Sequence, residues 1–316
     1  MKMIELEHIT KDYGKGRGVF DCSFSVEQGE VMGFLGPNGA GKTTTIRQLM
    51  GFIRPDRGRA EIGGRDCFRE AAEIHRSLGY LPGEIAFMDG MSGTDFLKFM
   101  AGMKGMKGPG RTKELMERFE LDPSGKLGRM SKGMKQKVGL VSAFMQDAEI
   151  LILDEPTSGL DPLMQNRFVE LLLEEKARGK TILMSSHVFE ETQRTCDRAA
   201  IIRSGKLVDV ECMEKLMGGG SNKDYEITFA ADGDAAQFAA QFAERFSAGL
   251  RADAGLLRAS RKGRVVSVAV SGSPDALLKA LAPYSVRDLN THSRTLEELF
   301  LAYYEQEGGS KEETES

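Results

Sequence analysis

Two short stretches of this sequence carry residue types that handle phosphate, metal and water. The first is Gly36-Pro37-Asn38-Gly39-Ala40-Gly41-Lys42-Thr43-Thr44, which follows the apolar run Val31 to Leu35 and precedes a helical run, Thr44 to Met50. Strand, glycine-rich turn and helix in that order form a P-loop in the context its chemistry requires. The glycines let backbone N–H groups turn inward around phosphate oxygens, and the helix start offers its positive end to the same anion. Lys42 is then placed to reach the β and γ phosphates of a nucleotide, and the Thr43 hydroxyl to ligate Mg²⁺. A plain turn has no need of a Lys-Thr pair at the helix start. Gly36, Asn38, Gly39, Ala40, Gly41, Lys42, Thr43 and Thr44 are therefore the expected phosphate-binding residues.

The second stretch is Ile150-Leu151-Ile152-Leu153-Asp154-Glu155-Pro156. An apolar strand buried on both faces ends here in two adjacent acids. Ligands gather at the C-terminal edge of parallel sheets, so Asp154 is suited to hold Mg²⁺ through water. Glu155 points elsewhere and can polarise a water for attack on a γ-phosphate. The plainer alternative is that both acids open a solvated loop.

The elements that must position these residues follow from patterning. Short apolar strands at 31–35, 150–153, 181–184 and 199–202 alternate with helical stretches such as 163–177, which signals an α/β layer fold around a mainly parallel sheet. Ile4 and Leu6, then Phe24 and Val26, alternate with polar neighbours as half-exposed antiparallel strands do, so a mixed sheet is expected. The polar run Gly218 to Asn222 marks a boundary, with a linker at 218–223. Beyond it Tyr225 to Phe229 and Val266 to Val270 read as strands, and Phe238, Phe242 and Phe246 share one helical face, giving a small α+β domain over 224–305. Residues 306–316 are polar and charged, and a disordered tail is expected there.

Composition narrows the function classes. At 316 residues, 41% hydrophobic and 28% charged, the chain is long enough for about two domains. A net charge of -4 argues against a nucleic-acid binder, which would need a basic stripe. Cys22, Cys67, Cys196 and Cys212 have no metal-ligand spacing and fit reduced thiols in a cytoplasmic setting. No apolar run approaches the roughly 20 residues needed to cross a bilayer, so a membrane role would come through a partner.

Further motifs arrive in an order that resembles the ABC ATPase family across about residues 1–217. Met130-Ser131-Lys132-Gly133-Met134 looks like the family's signature motif, lying before the Asp154 strand and leading into a helical stretch, 135–145. Read by itself, Ser131 ahead of a helix is an ordinary cap. The resemblance implies more: Ser131 and Gly133 would face the γ-phosphate of ATP held by an opposite subunit, in a head-to-tail dimer that forms on nucleotide. Ser158-Gly159-Leu160-Asp161 looks like the D-loop, which places Asp161 at that interface. His187, after the strand Thr181 to Ser185, looks like the switch histidine. Tyr13 matches the aromatic residue that stacks on adenine, although a half-buried tyrosine at a strand end is the simpler reading. The implied fold is a P-loop ABC ATPase core with a helical subdomain at about 85–145, and the implied cofactors are ATP and Mg²⁺. The implied activity is ATP hydrolysis that powers a separate integral membrane permease, by a homodimer or heterodimer of ATPase subunits peripheral to the inner face of the membrane. The segment Arg294 to Tyr304 resembles the ending of bacterial multidrug and antibiotic exporters, which implies export.

Departures from the family pattern leave points open. The glutamine of the Q-loop is missing, with Pro82-Gly83-Glu84 in its place, so Glu84 stands in or the loop acts only mechanically. Lys132 replaces a glycine and Met134 a glutamine in the signature motif. Met88, Met91, Met100, Met103, Met106 and Met116 suit an irregular core first and an adaptable docking groove second. Two other classes compete. A soluble ABC ATPase acting on the ribosome or nucleic acid would normally carry two cassettes or a long coiled coil. A kinase or switch on another P-loop fold would leave the signature, D-loop and His187 unexplained.

Overall fold

The computed structural model describes residues 1–88, 90–216, 222–247, 256–271 and 273–293. The chain divides into two compact units, Met1–Cys212 and Met213–Ser316. The first opens with β1 (Lys2–Asp12), β2 (Gly18–Glu27), β3 (Val31–Leu35), α1 (Lys42–Leu49), β4 (Arg57–Ile62), β5 (Arg65–Asp66), α2 (Ala71–Ser77) and β6 (Leu78–Leu81). It continues with α3 (Gly93–Met103), α4 (Thr112–Arg118), α5 (Lys132–Phe144), β7 (Ile150–Asp154), α6 (Pro162–Ala177), β8 (Thr181–Ser186), α7 (Phe189–Thr195), β9 (Arg198–Arg203) and β10 (Lys206–Cys212).

Two sheets result rather than one. The six-stranded sheet runs β10-β9-β3-β8-β7-β6 and is parallel from β9 to β6, its mixed character coming from the antiparallel β9–β10 hairpin. The alternating strands at the start do not join it. They form their own antiparallel sheet, β2-β1-β4-β5, with Ile4 opposite Val26 and Leu6 opposite Phe24. The apolar side of these strands is buried against the larger sheet, where the Phe24 and Phe34 rings lie 5.2 Å apart. All five residues of β3 and of β7 are buried, as central parallel strands require.

Helix starts lie earlier than patterning suggests, because caps and not apolar residues open them. α1 begins at Lys42 behind Gly41, whose φ of 116° needs a glycine. α5 begins at Lys132, since Ser131 Oγ accepts from Met134 N at 3.2 Å. α6 begins at Pro162 after Asp161, which accepts from Met164 N at 3.0 Å. Within the expected helical subdomain at about 85–145, the first helix, α3, starts only at Gly93, capped by Ser92. α3 and α4 pack on α5 through Phe96, Leu97, Leu115, Phe119 and Val138. The methionines expected to fill this core do not. Met88 and Met103 are exposed, and Met91, Met100, Met106 and Met116 are half-buried, because aromatic and leucine side chains already fill the interior.

The second unit comprises a short helix (Met213–Leu216), then β11 (Asn222–Phe229), α8 (Asp232–Ser247), β12 (Leu256–Lys262), β13 (Val265–Ser271), α9 (Asp275–Leu281) and β14 (Val286–Ser293). Its sheet, ordered β12-β13-β11-β14, is antiparallel throughout, a βαββαβ arrangement. Phe238 of α8 packs with Phe229 and Tyr284 in its core. The side chains of Phe242 and Phe246, the segment Gly218–Ser221, Arg294 to Tyr304 and the tail fall outside the described residues.

Candidate functional site

Strand register sets the site. Leu35 of β3 lies beside Ser186 of β8, and Ser185 beside Asp154 of β7, so three parallel strands end flush. The loop from β3 to α1, the two acids and the residue after β8 are thereby brought to one edge. A cavity of about 920 Å³ opens there, lined by Tyr13, Asn38, Gly39, Gly41, Lys42, Thr43, Thr44, Asp154, Glu155 and His187 among others.

Lys42 is only 5% exposed and donates to the carbonyls of Gly36 and Pro37, with its ammonium 3.1 Å from Glu155 Oε1. The other oxygen of Glu155 meets His187 Nδ1. Glu155 thus bridges the P-loop lysine and the histidine after β8. Its backbone sits at φ 51°, a conformation that costs a non-glycine residue on the order of 1–3 kcal/mol. The surroundings hold it there: Glu155 N donates to Ser185 O at 3.2 Å and Ser185 Oγ at 3.0 Å, while Gln136 of α5 donates to the carbonyls of Glu155 and Pro156.

Asp154 is fully buried. Its Oδ1 accepts from Ser185 Oγ, and its Oδ2 has no hydrogen-bond partner. Burial pushes the carboxyl above the usual carboxylate range against the hydrogen bonds from Ser185 and Thr43. A buried carboxylate oxygen left unpaired is costly, so the place suits a cation. A Cβ on Gly83 would come 3.1 Å from Oδ2, so the glycine keeps the space above that oxygen open. Thr43 and Asp154 therefore fit Mg²⁺ as a donor set of hard oxygens.

The remaining expected residues divide. Tyr13 is 49% exposed on the cavity rim, more open than a half-buried strand-end residue. Gly36 and Ala40 do not line the cavity. A Cβ on Gly36 would strike Ile202 O at 2.5 Å, and Ala40 is buried with its N–H and carbonyl bonded to Pro37 and Gly205. Both shape the loop from beneath. Ser131, Gly133 and Asp161 are likewise not brought to the cavity of one chain. The signature turn packs on the same chain's D-loop, where a Cβ on Gly133 would lie 2.7 Å from Gly159 O and Lys132 Nζ donates to Ser158 Oγ at 2.9 Å. Glu84 lines the cavity.

Sequence reasoning missed Arg17, Arg47, Tyr80, Lys132 and Gln136, which also line the cavity, and Ser185, which holds both acids. Ser185 had a signal, as a polar residue closing an apolar strand. Arg17 and Arg47 had none, being exposed cations that only the fold brings to the cavity.

Residues 19–158 match the family model described as ABC transporter. The chain is 35% identical over 219 residues to the ABC transporter ATP-binding protein NatA of Bacillus subtilis, covering 67% of this chain and 89% of that one. It is 38% identical to the bacitracin transport ATP-binding protein BcrA of Bacillus licheniformis, covering 66% and 69%. With an uncharacterised ABC transporter ATP-binding protein of Nostoc, the match is 39% identical and spans 65% of each chain. Among solved structures, an ATP-binding subunit of an ABC transporter superposes with a TM-score of 0.62 at 30% identity, covering 68% of this chain and 91% of that one.

Proposed function

Because the chain belongs to the ABC transporter ATP-binding family, we propose that its Lys42–Glu155–His187 constellation binds and hydrolyses ATP, in an ATP-dependent dimer that powers a separate membrane permease. The observation that carries this reading is the bridge itself: one carboxylate at the edge of a parallel sheet, paired with the P-loop lysine on one side and with a histidine on the other. Incoming phosphates compete for the Lys42 ammonium, which frees Glu155 Oε1 to accept a proton from an attacking water. His187 stays in reach of the same carboxylate and can donate to a phosphate oxygen. Asn38, Gly39, Gly41 and Thr44 contribute backbone N–H groups around the phosphates, and Tyr13 stacks on the base. Thr43 and Asp154 would hold Mg²⁺, which when bound neutralises charge on the phosphates.

Ser131, Gly133 and Asp161 lie away from the cavity of their own chain, which supports their serving the site of a second subunit. The second subunit is this chain or a related ATPase. Export is the direction we favour, since relatives carry names such as bacitracin transport and linearmycin resistance ATP-binding protein. Among the described residues no helix is long and apolar enough to cross a membrane.

Light scattering of Glu155→Gln with and without Mg-ATP tests the core of the proposal. The expected result is a monomer that becomes a dimer only with ATP, with turnover at least a hundredfold below the parent. Parental turnover in Glu155→Gln would remove Glu155 from the role of base.

A further inference from the structure

The buried acid at position 191 takes no part in the chemistry above. Glu191 lies in the first turn of α7, four residues after His187, and is 5% exposed. Its Oε2 accepts from the Thr157 hydroxyl at 2.9 Å, and its Oε1 is buried with no partner. Thr157 is itself 5% exposed and begins the turn that carries Ser158 to Asp161, two residues after Glu155. An acid in such a place is expensive, since burying a polar group that is only half satisfied costs on the order of 1–3 kcal/mol. Burial holds its carboxyl above the usual range, a tendency that the Thr157 hydroxyl and His187 oppose and that Glu155 and Glu190 reinforce.

The neighbourhood is built to keep the two elements in register. A Cβ on Gly33 would come 2.5 Å from Thr192 Cγ2 and 3.2 Å from Cys196 Sγ, so α7 lies directly on β3, the strand that leads into the P-loop. The turn after Glu155 closes through Ser158 N to Glu155 O at 3.1 Å and Leu160 N to Thr157 O at 3.0 Å. Between that turn and α7, the Thr157–Glu191 hydrogen bond is a buried polar link.

We propose that Glu191 is a positioning residue: its carboxyl grips the Thr157 hydroxyl so that the turn carrying Ser158–Asp161 and the helix behind His187 move as one body. A displacement of His187 when phosphate leaves is thereby passed to the segment that faces the second subunit. The idea rests on the ATPase reading, so its test includes a measurement that does not depend on turnover.

The variants are Thr157→Val, which keeps the shape and deletes the hydroxyl, Thr157→Ser, which restores it, and Glu191→Ala alone and combined with Thr157→Val. In the full chain, amide exchange at Ser158 and Leu160 is expected to quicken at least tenfold in Thr157→Val and Glu191→Ala, and to return near the parental rate in Thr157→Ser. Where the parent turns over ATP, kcat should fall about tenfold in both variants at unchanged KM and unchanged ATP affinity, with the double variant no worse than the weaker single. Thr157→Val is close to isosteric, so it keeps the test open if Glu191→Ala fails to fold. Parental exchange in folded Thr157→Val, or losses of kcat that multiply in the double variant, would overturn the proposal. An inactive parent would count against the ATPase reading alone, because the exchange result decides this inference without it.

Discussion

Lys42 and Glu155 are the residues on which charge is balanced at this site. The lysine is almost wholly buried, and without phosphate it relies on two carbonyls and the Glu155 carboxylate for compensation. Its removal takes away the group that would meet the phosphates and leaves Glu155 paired with His187 alone. Lys42→Met should therefore weaken ATP binding tenfold or more, which is about 1.4 kcal/mol. Titration with a fluorescent ATP analogue measures it, and an unchanged affinity would show that the loop does not use the lysine. The acids differ in the same way that their surroundings differ: Asp154 is held between Ser185 and an open space, Glu155 between the Lys42 ammonium and the His187 ring. The order of the two acids at the strand end already suggested Asp154 for the metal and Glu155 for the water. Strand register and the left-handed turn at Glu155 give the two side chains the different surroundings that this division would need.

At the scale of elements, the signature turn and the D-loop are packed backbone to backbone. Gly133 is needed there for room and not for conformational freedom, since a methyl group would press on Gly159 O. Gly133→Ala lies in the first turn of α5, where alanine is the better helix former, so unfolding free energy should stay within about 1 kcal/mol of the parent. ATP-dependent dimerisation should nevertheless weaken about tenfold, because the turn must shift away from the D-loop. Light scattering in the Glu155→Gln background reads this, with ATP affinity of the monomer as the control that should not move. Lys132, which departs from the family's glycine, lies along Gly159 and donates to Ser158. The side chain that looked like a defect in the motif acts as a strap across the same junction.

At the scale of the first unit, a network of charges fastens the α3–α5 region to the core. Arg111, at the start of α4, pairs with Glu114 and with buried Glu175 of α6. Glu175 also meets Lys180 at 2.9 Å, and Asp147 meets Arg178 at 2.6 Å and Lys180. Burial raises the Asp147 carboxyl, but hydrogen bonds from Arg178 and Lys180 outweigh it and hold the group at about 2. The same balance, with Lys180 and Arg111 as donors, lowers Glu175. Groups held below their unfolded values contribute stability that is present above about pH 4 and is lost as pH falls toward the folded value. Asp147 is 40% exposed, so screening limits its share to about 1 kcal/mol. Urea denaturation should show stability of the first unit falling from about pH 5, roughly one unit above the unfolded carboxylate value, down to about pH 2, the folded value of Asp147. Asp147→Asn should cost about 1 kcal/mol at pH 7 and close to nothing near pH 2. An equal cost at both ends would mean that packing and not charge holds this junction.

What the sequence determined by itself were the features whose physics is local. The P-loop, the apolar strand closing in two acids, the cap at Ser131 and the α/β alternation each depend on neighbours within a few residues, so they were legible. The tertiary structure decided whatever depends on residues far apart in the chain. It set the opening strands apart as a separate sheet, because their apolar side is covered by the larger one. It left the methionines exposed or half-buried around that interior, which Phe96, Leu115 and Phe119 fill. It turned Gly36 and Ala40 of the P-loop away from the cavity. It also joined Glu191 to Thr157 across 34 positions of chain, a pairing with no spacing rule to announce it, since a buried acid finds its partner only when the fold closes around both.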